Sequence, residues 1–274
     1  MRIHPFGLTT LILAGCLTLA APAHAIVNVL PLVSSKDAKG FLGRLEASLK
    51  VNYGNSNLIQ TSGKAQLGYR LDKHLFLAVG SANYGLGGSL NENTEVVWED
   101  SPIIWNTFEH LRYRYHWRDW LAFEGFVQHQ YDKNKRLELR ALVGGGTRFR
   151  VDLGDSAEMA LGTTLMFEHE VEDTGDSGAT IDTSLLRASC YIRVLSTLND
   201  HFSWQGTVFV QPRLDRLGTD DPLDLRVLAE AALISKLAEA FSLKTSLNWS
   251  YDSLPPETVR TSDLTTSVAL VYSF

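Results

Sequence analysis

Cysteine is nearly absent: the chain of 274 residues holds two, Cys16 and Cys190. Cys16 lies in a segment expected to be removed, so no intramolecular disulfide is expected to hold the fold together. Long apolar runs are missing as well. The longest uncharged, largely apolar stretch, Leu8 to Ala21, falls short of the roughly 20 residues that a membrane-spanning helix needs. A helical membrane protein is thereby excluded, because each of its spans must satisfy its backbone within such a run. Positive charge is the third shortage, with 25 Lys and Arg against 31 Asp and Glu and a formal charge of −6. A nucleic-acid partner, which calls for a clustered basic face, is not expected.

What is present begins with the form of a secretory signal. Arg2 supplies a short positive region, Leu8 to Ala21 an apolar one, and Ala23-His24-Ala25 a small-x-small cleavage site. Residues 1–25 are expected to be a signal peptide, 26–39 a short periplasmic segment, and 40–274 the folded unit. A second reading of the same segment stays open. Leu13-Ala14-Gly15-Cys16 has the form of a lipidation site.

Beyond it, polarity alternates. Along Phe41 to Tyr53, odd positions are apolar or Gly and even ones mostly polar, the period of a strand with one greasy and one wet face. Ile59 to Leu71, Asp155 to Phe167 and Leu264 to Phe274 repeat the pattern. In Arg136 to Val151 the phase survives Gly144-Gly145-Gly146, which predicts one long strand with a close-packed or bent middle. Arg226 to Lys244 is rich in helix formers; its parity nevertheless predicts two strands with a turn at Ala238-Glu239.

Connections fall into two classes. Short turns are expected at 72–73, 118–119, 152–155, 197–200 and 236–239, and looser ones at 85–102, 170–180, 212–222 and 252–261. Two connections on the looser side, 54–56 and 132–135, are short. Aromatics cluster near both sets of strand ends: Tyr69, Trp117, Phe149 and Phe202 at one, Tyr53, Tyr84, Trp105 and Trp249 at the other. Two belts and alternating connection lengths predict an all-β, up-and-down antiparallel transmembrane barrel of about twelve strands. A soluble β-sandwich also alternates, but it would leave two rings of outward aromatics unexplained.

The block His110 to Arg150, opening His-Leu-Arg-Tyr-Arg-Tyr-His-Trp-Arg-Asp-Trp and closing Gly-Gly-Gly-Thr-Arg-Phe-Arg, resembles the family of salt-induced outer-membrane proteins, otherwise a domain of unknown function. Asn55 to Arg70 and Leu247 to Phe274 fit it too. The resemblance implies a fold, a place in the bacterial outer membrane and an osmotic setting. It brings no catalytic residue or ligand. The closing Leu270, Tyr272 and Phe274 look like the signal read by the outer-membrane assembly machinery.

The polar parity is expected to face the lumen, with Arg112, Arg114, Glu124, Arg136, Glu138, Arg140, Arg148 and Arg150 as its candidates. Such a wall would either favour anions in an open pore or close the lumen by mutual Arg–Glu pairing. His110 and His116 share this face about 20 Å apart, too far for one metal, and neither metal nor cofactor is expected. His129 and His169 take the outward parity near the looser ends. Beside a hydroxyl, either would suit a base acting on envelope lipids, although no nucleophile motif accompanies them. The acidic connections Asn91 to Glu95, Glu99-Asp100 and Glu170 to Asp176 suit a solvated surface among lipopolysaccharide phosphates. The expectation is a non-enzymatic barrel serving as a narrow channel or as an envelope component in salt stress. A lipid-acting enzyme and a surface receptor or adhesin are the alternatives.

Overall fold

The computed structural model describes residues 40–274 except 55–56, 92–94, 176–177, 221 and 257–258. The expected signal peptide, the segment 26–39 and Cys16 lie outside the described residues.

Among the described residues thirteen strands follow in order: β1 (Gly40–Asn52), β2 (Asn57–Leu71), β3 (His74–Leu90), β4 (Val96–Trp98), β5 (Ile104–Arg118), β6 (Leu121–Asp132), β7 (Leu137–Asp152), β8 (Ala157–Asp173), β9 (Thr180–Thr197), β10 (Phe202–Pro212), β11 (Leu225–Lys236), β12 (Phe241–Asp252) and β13 (Ser262–Ser273). β4 is a short strand folded back on the end of β3. The other twelve form one ring in which each is antiparallel to its neighbours, and β1 closes it on β13 through the register Arg44↔Ser273 to Ala47↔Leu270. Closure joins the two sheet edges along the short-turn half of the seam, so the paired backbone groups there are satisfied without water.

Side chains divide as the alternation requires. Leu49, Val51, Leu111, Val127, Val143, Leu165, Phe167 and Val268 point outward and are exposed, while Arg112, Glu124, Glu168, Arg187 and Arg226 are buried. This inverts a water-soluble protein and is what lipid outside and a polar lumen inside demand. Exposed aromatics gather at both rims, with Phe41, Tyr69, Phe149, Phe241 and Tyr272 at the short-turn end and Tyr53, Tyr84, Trp105 and Trp249 at the other. Both described ends of the barrel, Gly40 and Phe274, lie at the short-turn side.

Several expectations are sharpened. The helix-forming stretch 226–244 is β11 and β12, paired along their lengths, because completing the ladder outweighs local propensity. Gly144 and Gly146 do lie in one continuous strand, packed against the Phe126 ring and the β8 backbone. Two looser connections are shorter than expected, since β3 runs on to Leu90 and β8 to Asp173. Glu170 is consequently no loop residue. It is a buried lumen residue.

Candidate functional site: the charged lumen

The long-loop half of the lumen is crossed by an ion network. Glu168 and Glu170, two residues apart on the inward face of β8, receive three guanidiniums: Arg140 from β7, Arg187 from β9 and Arg226 from β11. Arg226 donates to Glu168 Oε1 at 2.5 Å and to Glu170 Oε2 at 3.0 Å, and its Nε reaches Asp252 Oδ2 at 2.7 Å. Arg187 Nη1 meets Asp224 Oδ1 at 2.9 Å. β8 and β11 are separated by two strands, so the Arg226 bonds to Glu168 and Glu170 are chords across the lumen, whereas its bond to Asp252 links register partners on β11 and β12. A further chord lies at the rim, where Lys135 Nζ from the β6–β7 turn stands 3.9 Å from Asp263 of β13. Arg187 is 0 % and Glu168 1 % exposed, so these two groups are shielded from water.

The short-turn half is organised around Glu124 of β6. Arg114 Nε donates to it at 2.6 Å and Arg112 Nη1 at 3.3 Å, and the Tyr191 hydroxyl of β9 donates at 3.3 Å. The Tyr191 ring lies over Gly162, where a Cβ would collide with it. Arg148 donates to the same hydroxyl at 3.4 Å and to Glu158 at 3.2 Å. Arg150 pairs with Glu158 at 2.8 Å and with Asp152 at 3.0 Å. Between the halves sit apolar clusters, Tyr191 with Phe209 and Leu228, and Phe126 with Leu142 and Met166. Toward the short turns the lumen widens into a vestibule of about 600 Å³, lined among others by Arg44, Arg150, Glu158 and Gln205.

Of the eight lumen candidates, Arg112, Arg114, Glu124, Arg140, Arg148 and Arg150 are on the inward face, all but Arg150 buried. Arg136 and Glu138 are not. Arg136 stands in the turn before β7 with φ of +54° and donates to the Thr174 carbonyl. Glu138 is exposed. The cause is a bulge: Gln130 faces Arg140 but Asp132 faces Leu137, so the parity inverts before Arg140 and Leu137 is buried instead. Glu170, Asp224, Asp252 and Tyr191 went unrecognised. Glu170 shares the parity of Glu168 and was legible. Asp224 lies in the β10–β11 connection, where no period exists to read. His110 is inward and buried, its Nδ1 3.1 Å from Gln128 Oε1. The closing Leu270, Tyr272 and Phe274 all face outward and are exposed.

The outer wall carries its own polar row. Through the strand registers, Glu109, His129, Ala141, His169 and Ser184 are successive partners across β5 to β9. His129 Nδ1 is 2.6 Å from Glu109 Oε2, and His169 Nδ1 is 3.0 Å from Ser184 Oγ.

A closed antiparallel barrel, apolar outside and charged inside, defines the class of transmembrane β-barrels. The chain belongs to the family described as "Protein of unknown function, DUF481", whose profile matches residues 45–274. No curated protein matches it. Among solved structures the chain resembles the NanC porin at 8% identity, with 84% of this chain and 98% of that one covered and a TM-score of 0.48. It also resembles the KdgM porin (9%, 85% and 99%, 0.42) and the translocator domain of the autotransporter NalP from Neisseria meningitidis (12%, 87% and 90%, 0.43). The likeness is one of fold.

Proposed function

We propose that this chain is a non-enzymatic barrel of the bacterial outer membrane, exported by its N-terminal segment, and that it forms a narrow channel held shut in its long-loop half by paired charges. The short turns and the barrel's two ends face the periplasm, and the longer loops face lipopolysaccharide. The assembly machinery reads Leu270, Tyr272 and Phe274. The observation that carries the reading is the chord from Arg226 to Glu168 and Glu170. A charged network spanning the lumen is more than filling: its members stay in place only while every charge keeps a partner. The osmotic setting comes from the family resemblance alone, and a rise of the protein after a shift to high salt is its check.

The test is conductance of refolded protein in a planar bilayer under a salt gradient. Wild type stays closed or flickers, and Arg226→Ala with Glu168→Ala opens steady steps. Steady ohmic steps from wild type would overturn the closed lumen. A folded double variant that remains silent would leave an envelope component without a channel.

One observation favours an enzyme acting on envelope lipids: the outward Ser184 hydroxyl beside His169, near the long-loop rim. A nucleophile and base in reach are two of the parts acyl transfer needs. Their backbone N–H groups are committed to strand pairing, which leaves no donor pair for an oxyanion. Release of fatty acid from phospholipid vesicles by wild type, lost in Ser184→Ala, would establish this reading. Equal release by both proteins, or none, would end it.

A further inference from the structure

Buried polar atoms without partners have a pattern in the short-turn half of the lumen. Arg193, inward on β9 and 2 % exposed, leaves Nε and Nη2 without an acceptor. Gln205, inward on the adjacent β10 and also 2 % exposed, leaves Nε2 unbonded, and so does Arg114 with Nη2. All are donors. The carboxylates within reach are already engaged: Glu124 by Arg112 and Arg114, Glu158 by Arg148 and Arg150. Asp152 and Asp155 stand at the vestibule rim. Gln205 lines the vestibule together with Leu195, and Arg193 lies one inward position deeper than Leu195, opposite Thr207. A concave, water-reachable basin, its wall carrying Arg44 and Arg150 beside Asp152, Asp155 and Glu158, thus ends next to buried donors with no acceptor, while a buried unpaired guanidinium is costly to keep.

We propose that this floor binds a small oxyanion, a solute bearing a carboxylate or phosphate group that enters from the short-turn side. Arg193 is its anchoring donor and the Gln205 amide a second. A guanidinium fork offers two parallel N–H groups to such an oxygen pair. Arg150, half-buried at the basin wall and paired with Glu158 and Asp152, stands on the way in. The proposal takes only the name of the filling compartment, the periplasm, from the channel reading. It holds whether or not the long-loop half conducts.

The experiment is isothermal titration calorimetry of the refolded full barrel in zwitterionic detergent at low salt, with inorganic phosphate and, separately, citrate as probes. Wild type gives saturable one-to-one heat with at least one of them. Arg193→Gln weakens that binding by about tenfold or more, the scale of one charge-assisted contact, and Arg193→Lys falls between. No saturable heat from either anion would mean that water alone satisfies these donors, and would overturn the proposal. Equal binding by Arg193→Gln would overturn it too. Thermal unfolding without anion separates a binding role from a structural one. If Arg193 awaits a ligand, Arg193→Gln melts at or above wild type. If it fails to fold or melts well below, the guanidinium is a structural member of the wall and the proposal falls. Conductance enters neither readout, so failure here is distinct from failure of the channel reading.

Discussion

The ring of Phe274 lies on Gly43, filling the space where a Cβ on that residue would stand. The two backbones exchange hydrogen bonds, Gly43 N to Phe274 O at 2.8 Å and Phe274 N to Gly43 O at 3.0 Å. The last residue of the chain is therefore the end of the seam that closes the barrel. β1 and β13 share a register of four residue pairs, against thirteen between β1 and β2, so contacts added at the end of this seam matter more than elsewhere.

Replacing Gly43 with Val is expected to push the Phe274 ring off the wall and cost about 1–3 kcal/mol, the range for overpacking. The temperature at which the folded band converts to the unfolded band on a gel should drop. In Phe274→Ala the same Gly43→Val change should cost far less, since the two residues contact each other and their effects cannot add. Additive losses would mean that the ring does not depend on the glycine. Phe274→Asp should cripple assembly, read as loss of the protein from the outer-membrane fraction.

Glu168 stands among Arg140, Arg187 and Arg226. Glu168→Gln removes the carboxylate and leaves buried guanidiniums short of countercharge. The expected loss is about 3–5 kcal/mol, as for one partner of a buried pair, checked by denaturant unfolding in detergent micelles. A loss under about 1 kcal/mol, the size for exposed pairs, would mean that water reaches this part of the lumen.

Arg136 supplies the contrast. Alternation placed it beside Arg140 on the wall, where Arg136→Glu would have distinguished an open lumen from a paired one. The bulge at Leu137–Leu139 moves it to a turn, held to the Thr174 carbonyl. Arg136→Glu should therefore cost about 1 kcal/mol or less and leave conductance unchanged. A change in ion selectivity in that variant would put Arg136 back on the ion path.

How far the sequence could be read follows from this. Period two survives wherever strand pairing is regular, so the barrel, its short turns and six of the eight lumen candidates were legible in the residues. It fails at Glu138, because a bulge adds a residue without marking the sequence. It fails differently at Asp224 and Asp252. Asp224 lies in a connection, where no period exists to read, and Asp252, which faces Arg226 from the adjacent strand, was placed in the 252–261 connection. The Tyr191 hydroxyl was hidden because its partner Glu124 stands on β6, and ring closure rather than any local pattern brings β6 and β9 together. Tyr191 becomes a lumen residue only when its parity on β9 is joined to the gap at Gly162.

That gap gives the last prediction. Gly162 faces inward on β8 directly opposite Tyr191, and a Cβ there would meet the ring. Gly162→Ala should tilt the ring and withdraw its hydroxyl from Glu124 and Arg148. Tyr191→Phe removes only the hydroxyl and should cost about 1–3 kcal/mol, the range for leaving buried partners unsatisfied. Gly162→Ala adds a steric term of about 1–3 kcal/mol and should be the worse of the two. Combining them tells the two effects apart, because the methyl still meets the ring edge after the hydroxyl is gone. If the double variant is no less stable than Gly162→Ala alone, the hydroxyl was already withdrawn by the methyl, and the glycine is what seats Tyr191 on Glu124. If the losses add in full, the ring holds its place by Phe209 and Leu228, and the glycine is not what positions it.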